Sequence, residues 1–284
     1  MPIAHPSTET LGRALTLSDA GAISAALEIG PFAPAEYSFA NLWLFRNRHD
    51  YRLVEDGLPH IRGITYDGEV HALPLEKPSG DNFRALLSTG VDCIFPVGDA
   101  VSQLVEELGL RCDHRDADSD YWYDAAAMAQ LSGAKARRSQ ARQFETTLAP
   151  EFEDWSDHCV TEALQVLEGW SEDVGRPADR TDIAECREAL DLTGELGLEG
   201  CLVKVSGEAV AFLLSSGTRD TRIVHFAKGR RQYSAAYPWM FSQYAGRSGA
   251  QWINFEQDLG NPGLAQSKRA YVPAKRQSKW RLRI

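Results

Sequence analysis

The sequence has no Cys-x-x-Cys pair, few methionines and no long uncharged hydrophobic run. Each absence excludes something. Its five cysteines, Cys93, Cys112, Cys159, Cys186 and Cys201, are an odd number scattered along 284 residues, so they read as reduced core thiols and not as a disulfide framework. Cys112 stands two residues before His114, but no second pair completes a zinc site, and no metal is expected. No stretch reaches the ~18 uncharged residues of a membrane span. The opening residues, MPIAHPSTETLGRALTLSDA, lack the apolar core and early positive charge of a secretory signal, which leads to the expectation of a cytoplasmic protein. Excess positive charge is missing as well. The net charge is −10, which argues against bulk adhesion to DNA or to an anionic membrane, although a local basic groove is compatible with it.

What is present is enough apolar material, 43% of residues, for a full core in one large domain or two ordinary ones. Residues 17–30 read as an amphipathic helix with Ser18 as its N-cap. The aromatic-rich stretch 36–46 suits a strand or a short buried helix. Short strands joined by turns follow over 51–57, 59–68 and 69–76, with Asp-Gly at two turns. A helix closed by Gly90, a buried strand over 92–98 and a helix over 99–109 come next, and 119–131 begins as an aromatic strand and turns helical. The second half has the same grammar. Residues 155–197 are mainly helical, with Gly169 and Gly175 to Pro177 as candidate interruptions. A hairpin turns at Ser206-Gly207-Glu208, a third strand spans 221–229, and a helix over 234–249 carries Pro238 in its first turn. A fourth strand over 250–258 and a short helix over 263–271 close the pattern.

Strands, helix, strand and helix thus occur twice. The order predicts an α+β protein of two tandem domains of the Gcn5-related N-acetyltransferase type, with mixed, mostly antiparallel sheets flanked by helices. The expected division is 1–130 and 131–284, the second part carrying the active site.

Three segments carry a resemblance. YSFANLWLFR (37–46) begins it, YWYDAAAMAQLSGAKARRSQARQF (121–144) follows the pattern YDY…L…L.G.K…KR…..F, and VHFAKG (224–229) extends it. INFEQDLGNPGLAQSKRAYVP (253–273) is similar to the ending N.E.DLG..GLR..K.SY.P. Through these segments the chain resembles the bacterial proteins related to the C-terminal domain of phosphatidylglycerol lysyltransferase. It departs from their pattern at Ala265, where Arg is usual, at Ala270, where Ser is usual, and at Arg137–Arg138, where Lys-Arg is usual. The resemblance implies two acetyltransferase-type domains and a transferase that takes its aminoacyl group from aminoacyl-tRNA, with acceptors ranging from lipids to small amines.

Aminoacyl transfer needs a proton acceptor, a stabiliser for the oxyanion and a hold on a charged donor. Glu256 and Asp258 alternate at a strand end, so both are expected on one face, and Lys268 is expected to return across the glycine turn to meet them. The alternative is that Asp258 caps the turn and Lys268 pairs with it on the surface. His225 is the further catalytic candidate, against the plain reading of a half-buried structural histidine. His225 and Lys228 would share a site only if a bulge or strand end separates them. Asn254, Lys228, Tyr271, Arg230 and Arg138 are the candidate substrate-binding residues.

Coenzyme A users of this fold cradle pyrophosphate in a glycine-rich turn, whereas KGRRQYSAAYPW (228–239) has one glycine. No cofactor is therefore expected, acetyl-coenzyme A ranks below aminoacyl-tRNA as donor, and a non-enzymatic member binding an amino acid or nucleotide is the third reading. Basic residues gather in 135–142 and 268–284, while 151–199 holds fifteen acids and three bases. The two basic segments are the expected contacts for tRNA phosphates, with a small molecule, peptide or lipid as acceptor and no DNA.

Overall fold

The computed structural model describes residues 11–76, 80–99, 105–107 and 109–284. The first ten residues, and most of the helix expected over 99–109, lie outside the described residues. The described strands, in chain order, are β1 (Arg13–Ala14), β2 (Arg52–Val54), β3 (His60–Ile64), β4 (Val70–Pro74), β5 (Cys93–Val97), β6 (Arg111–His114), β7 (Asp120–Asp124), β8 (Glu151–Asp154), β9 (Glu199–Val205), β10 (Glu208–Gly217), β11 (Thr221–Gly229), β12 (Trp252–Asn254), β13 (Lys275–Gln277) and β14 (Trp280–Arg283). They form two seven-stranded sheets, β1-β2-β3-β4-β5-β14-β6 and β8-β9-β10-β11-β12-β7-β13.

The two orders follow one plan. Each sheet is antiparallel except for one pair, β4 with β5 in the first and β11 with β12 in the second. A parallel pair needs a crossover, and a helix supplies it in each case, Gly80–Leu87 and Ala236–Arg247. Beside each parallel pair lies an antiparallel strand from a distant part of the chain, β14 against β5 and β7 against β12. This is the tandem α+β architecture that the strand–helix order predicts.

The division of the chain differs from a single cut at 130/131. One compact unit comprises Met1–Glu28, Phe45–Arg115 and Ser278–Ile284; the other comprises Ile29–Leu44 and Asp116–Gln277. Strand pairing is the reason. The segment around β7 is hydrogen-bonded to β12 and β13, and the C-terminal β14 is hydrogen-bonded to β5 and β6.

In the first unit Phe83, Leu86, Ile94 and Leu282 form the core beside the crossover helix. Thr16, not Ser18, begins the first helical turn, because the Asp19 carboxylate reaches back to the Thr16 N–H at 2.8 Å and its hydroxyl at 2.9 Å. The basic tail is ordered here. Arg281 lies 2.8 Å from Asp67 and 2.6 Å from Glu69, and Arg283 lies 2.8 Å from Glu69 and 3.1 Å from Asp113.

In the second unit the helix Ala236–Arg247 lays Ala236, Met240 and Tyr244, four residues apart, together with Trp239, on a sheet face built by Tyr121, Tyr123, Val203, Leu213 and Ile253. Each large apolar side chain so buried stabilises the fold by roughly 2 kcal/mol. Ser206 and Gly207, with φ of 53° and 81°, form the two-residue hairpin turn that joins β9 to β10. The helix Cys159–Val174 runs unbroken through Gly169 and stops at Gly175, where φ is 62°. A Cβ at Gly169 would meet the Arg230 guanidinium, the far end of a flexible side chain that can move away. No helix among the described residues is long and apolar enough to cross a membrane.

Candidate functional site

β11 and β12 run side by side only from Thr221 to Ile223 and from Trp252 to Asn254. Beyond that point β11 continues along β10 to Gly229, while the other strand leaves the ladder. The chain follows β7 for two more residues, with Phe255 N–H donating to Tyr121 O at 2.9 Å and Tyr121 N–H to Glu256 O at 3.2 Å. At Glu256 it turns, with φ at 56°, a left-handed conformation unusual for a residue with a Cβ. Asn254, fully buried, supports that turn: its Oδ1 accepts the Glu256 N–H at 2.6 Å, and its Nδ2 donates to Asp120 Oδ2 at 3.0 Å. The same Asp120 oxygen accepts the Ala35 N–H at 2.9 Å.

Opposite, β11 carries the bulge that the sequence requires if His225 and Lys228 are to share a face. Val224 pairs with Ser215 and Phe226 with Leu214, which leaves His225 as the extra residue. Its Nδ1 lies 2.8 Å from Glu256 Oε1 and its Nε2 lies 2.7 Å from Ser216 Oγ. Ser216 Oγ is 2.8 Å from Ser38 Oγ, and Asn41 Nδ2 donates to Glu256 Oε1 at 2.9 Å. With a neutral imidazole, the carboxylate requires Nδ1 to carry the hydrogen, so Nε2 accepts the Ser216 hydroxyl proton and Ser216 accepts from Ser38. The His225 side chain is fully buried, whereas Glu256 is 16% exposed, and Oε2 of Glu256 has no protein hydrogen bond among the described residues. A carboxylate oxygen beside the opening between two strands is thus available to a cation or a proton.

The other predicted residues are placed differently. Asp258 does not share a face with Glu256, because the turn between them breaks the alternation. Its Oδ2 accepts the Tyr121 hydroxyl at 2.6 Å, and its Oδ1 accepts the Gly260 N–H at 2.9 Å. Lys268 returns across the glycine turn as expected, but its Nζ donates to the carbonyls of Phe255 at 2.5 Å, Glu256 at 3.2 Å and Gln257 at 2.5 Å. Both residues brace the loop that presents Glu256. Asn261 caps the helix Pro262–Arg269 that carries Lys268, accepting from Gly263 and Leu264 N–H.

Lys228 Nζ lies 2.7 Å from both Asp182 oxygens and 4.0 Å from the centre of the Trp170 ring. Arg230 donates to Asp173 at 3.2 Å, and the Arg231 N–H donates to the same oxygen at 2.8 Å. Tyr271 is a core residue, 5.3 Å ring to ring from Phe241, with the Arg137 guanidinium carbon 5.2 Å from its ring centre. Arg138 donates to Leu131 O at 3.3 Å. None of these contacts involves His225 or Glu256. Ser38, Asn41, Ser216 and Asp120 are the members that the sequence reading missed. Two of them stand in YSFAN, where polar residues interrupt a stretch that is otherwise apolar, and that was the available signal.

The family profile described as phosphatidylglycerol lysyltransferase, C-terminal, matches residues 28–283. A conserved protein of unknown function from Bacteroides thetaiotaomicron is similar in structure, with a TM-score of 0.83 at 22% identity, over 94% of this chain and 97% of that one. The C-terminal domain of a protein named for lysylphosphatidylglycerol synthetase, from Agrobacterium fabrum, gives a TM-score of 0.66 at 14% identity, over 95% and 93%. FemX gives 0.61 at 11% identity, over 96% of each chain. No curated protein matches in sequence. With nearly its whole length covered by one profile, the chain belongs to the phosphatidylglycerol lysyltransferase C-terminal family.

Proposed function

We propose that the protein is an aminoacyltransferase that moves an aminoacyl group from aminoacyl-tRNA to an amine, a hydroxyl or a lipid head group. The observation that carries the proposal is the unpartnered Glu256 oxygen beside the strand opening, backed by the buried His225–Ser216–Ser38 chain. Transfer forms a bond from the acceptor nitrogen or oxygen to the acyl carbon and breaks the bond from that carbon to the ribose oxygen of tRNA. The acceptor must lose a proton, and the leaving ribose oxygen must gain one. Glu256 Oε2 takes the acceptor proton or holds the ammonium group of the aminoacyl residue. His225 and Asn41, both on Oε1, fix the direction in which Oε2 points. Asn254 and Lys268 act on the backbone of the same residue.

Two features support tRNA over coenzyme A as the source of the acyl group. In the turn after β11 Asp173 takes the Arg230 side chain and the Arg231 backbone N–H, and Pro238 removes one of the free N–H groups at the start of the following helix. Part of the tail is engaged internally, so Lys135 and Arg142, exposed on the helix Lys135–Leu148, are the better candidates for tRNA phosphates.

The test is incubation of the protein with a mixed pool of charged tRNA and cell extract. Consumption of one aminoacyl ester by the wild type, and not by Glu256→Gln, is the expected result. No ester consumed above background would remove the proposal.

A further inference from the structure

A second cluster lies at the far end of the same sheet, three strands from β11. Glu153 belongs to the edge strand β8, which pairs only with β9. His158 and Cys159 begin the helix Cys159–Val174. The possible donor atoms of Glu153, His158 and Cys159 lie within 4.8 Å of one another. Glu153 Oε1 is 2.7 Å from His158 Nε2 and 3.6 Å from Cys159 Sγ. Cys159 is fully buried, and the His158 side chain is 72% exposed, so the three groups span from the protein interior to solvent.

We propose that this cluster binds a divalent transition-metal ion of the zinc class. A thiolate, an imidazole and a carboxylate are the donors that zinc takes. With bonds of about 2.0 Å to oxygen and nitrogen and about 2.3 Å to sulfur, tetrahedral donors stand roughly 3.3–3.6 Å apart. The sulfur–oxygen spacing already matches. The oxygen–nitrogen spacing, held short by a shared proton, opens by roughly half an ångström when the ion replaces that proton.

The surroundings orient the donors. Lys204 Nζ, 2.9 Å from Glu153 Oε2 and 2.7 Å from Glu162, occupies the outer oxygen and leaves Oε1 turned inward. Ser156 Oγ lies 2.9 Å from His158 Nδ1 and 3.2 Å from Nε2, beside the ring whose Nε2 meets Glu153 at 2.7 Å. Three protein donors leave a fourth position for water. The ion would fasten the edge strand to the start of the helix, a place where the sheet has hydrogen bonds on one side only.

Cobalt(II) titration of the intact protein tests the site, because a cobalt–thiolate bond gives a charge-transfer absorption that nitrogen and oxygen ligands do not. Cys112 is exposed, so the titration uses the Cys112→Ser background. The expected result is one equivalent bound with that absorption, displaced by zinc, abolished by Cys159→Ser and weakened at least ~10-fold by His158→Asn. Because His158 is exposed, that variant keeps its fold even if Cys159→Ser does not. A folded Cys112→Ser protein with no thiolate absorption, or an absorption unaffected by His158→Asn, would overturn the proposal.

Discussion

Glu256 and His225 meet across the point where β11 and β12 part, with Oε1 of the one 2.8 Å from Nδ1 of the other. One arrives by a bulge in β11, the other by a left-handed turn after β12. Two local departures from regular strand geometry are thus needed to make one contact, and both are costs that the surrounding hydrogen bonds offset.

Glu256→Gln keeps the shape of the side chain and removes its charge. Transfer should fall by a factor on the order of 100, the scale of one acid–base contribution, with the melting temperature little changed. His225→Gln, which acts through Glu256, should cost about 10-fold. Initial rates of aminoacyl-ester consumption measure both, and full activity in both variants would move the reacting centre elsewhere.

Lys268→Met leaves three carbonyls without their ammonium donor. Chemical denaturation should show a loss of about 2–3 kcal/mol, the range for hydrogen bonds from a charged group. Asp258→Asn should lose less, because the amide oxygen still accepts from Tyr121 or Gly260. An unchanged denaturation midpoint together with lost turnover would instead put Lys268 at the reacting atoms.

The first unit should lose stability in mild acid. Burial lowers His49 to about 4 and His71 to about 3, and it also lowers His60. The unfolded chain takes up these protons near the ordinary value of about 6.5. Between that value and the folded ones the unfolded state binds more protons, so stability present above about 6.5 is lost as pH falls toward 4 and then 3. Each histidine contributes a slope of up to about 1.4 kcal/mol per pH unit. Urea denaturation at a series of pH values checks this, and a flat profile between 6.5 and 4 in the wild type would refute it.

Gly200 is opposite Leu214 in the β9–β10 pair, and a Cβ on it would collide with the Leu213 carbonyl. Backbone cannot step aside as a flexible side chain can. Gly200→Ala should cost roughly 3 kcal/mol, read from the denaturation midpoint, or fail to yield folded protein.

Calorimetry with acetyl-coenzyme A should show no micromolar binding. The turn after β11 has one glycine, and its Arg230 is already bound to Asp173. Micromolar affinity with the pyrophosphate at that turn would reverse the order of the two donors.

Much of the fold was legible in the chain itself. Residues 201–217 announce a hairpin because only a turn of left-handed residues fits Ser206-Gly207, and 234–249 announce a helix because apolar residues recur at helical spacing. The same is true of the doubled strand–helix order, since local periodicity reflects which face each element buries. The motif around Glu256 was legible through its resemblance to the family ending, which it matches except at Ala265 and Ala270. What the sequence left open depends on contacts between residues far apart. The alternation that puts Glu256 beside Asp258 holds only while a strand continues, whereas pairing with β11 ends at Asn254 and the chain turns at Glu256. Asn41 and Ser38 reach Glu256 and Ser216 across more than 170 residues of chain. The basic tail reads as a contact for tRNA phosphates, and only the packed chain shows β14 setting Arg281 and Arg283 against Asp67, Glu69 and Asp113. Local pattern states what an element is; which partner it meets is a property of the packed chain, because hydrogen bonds and ion pairs act over a few ångströms and take no account of sequence distance.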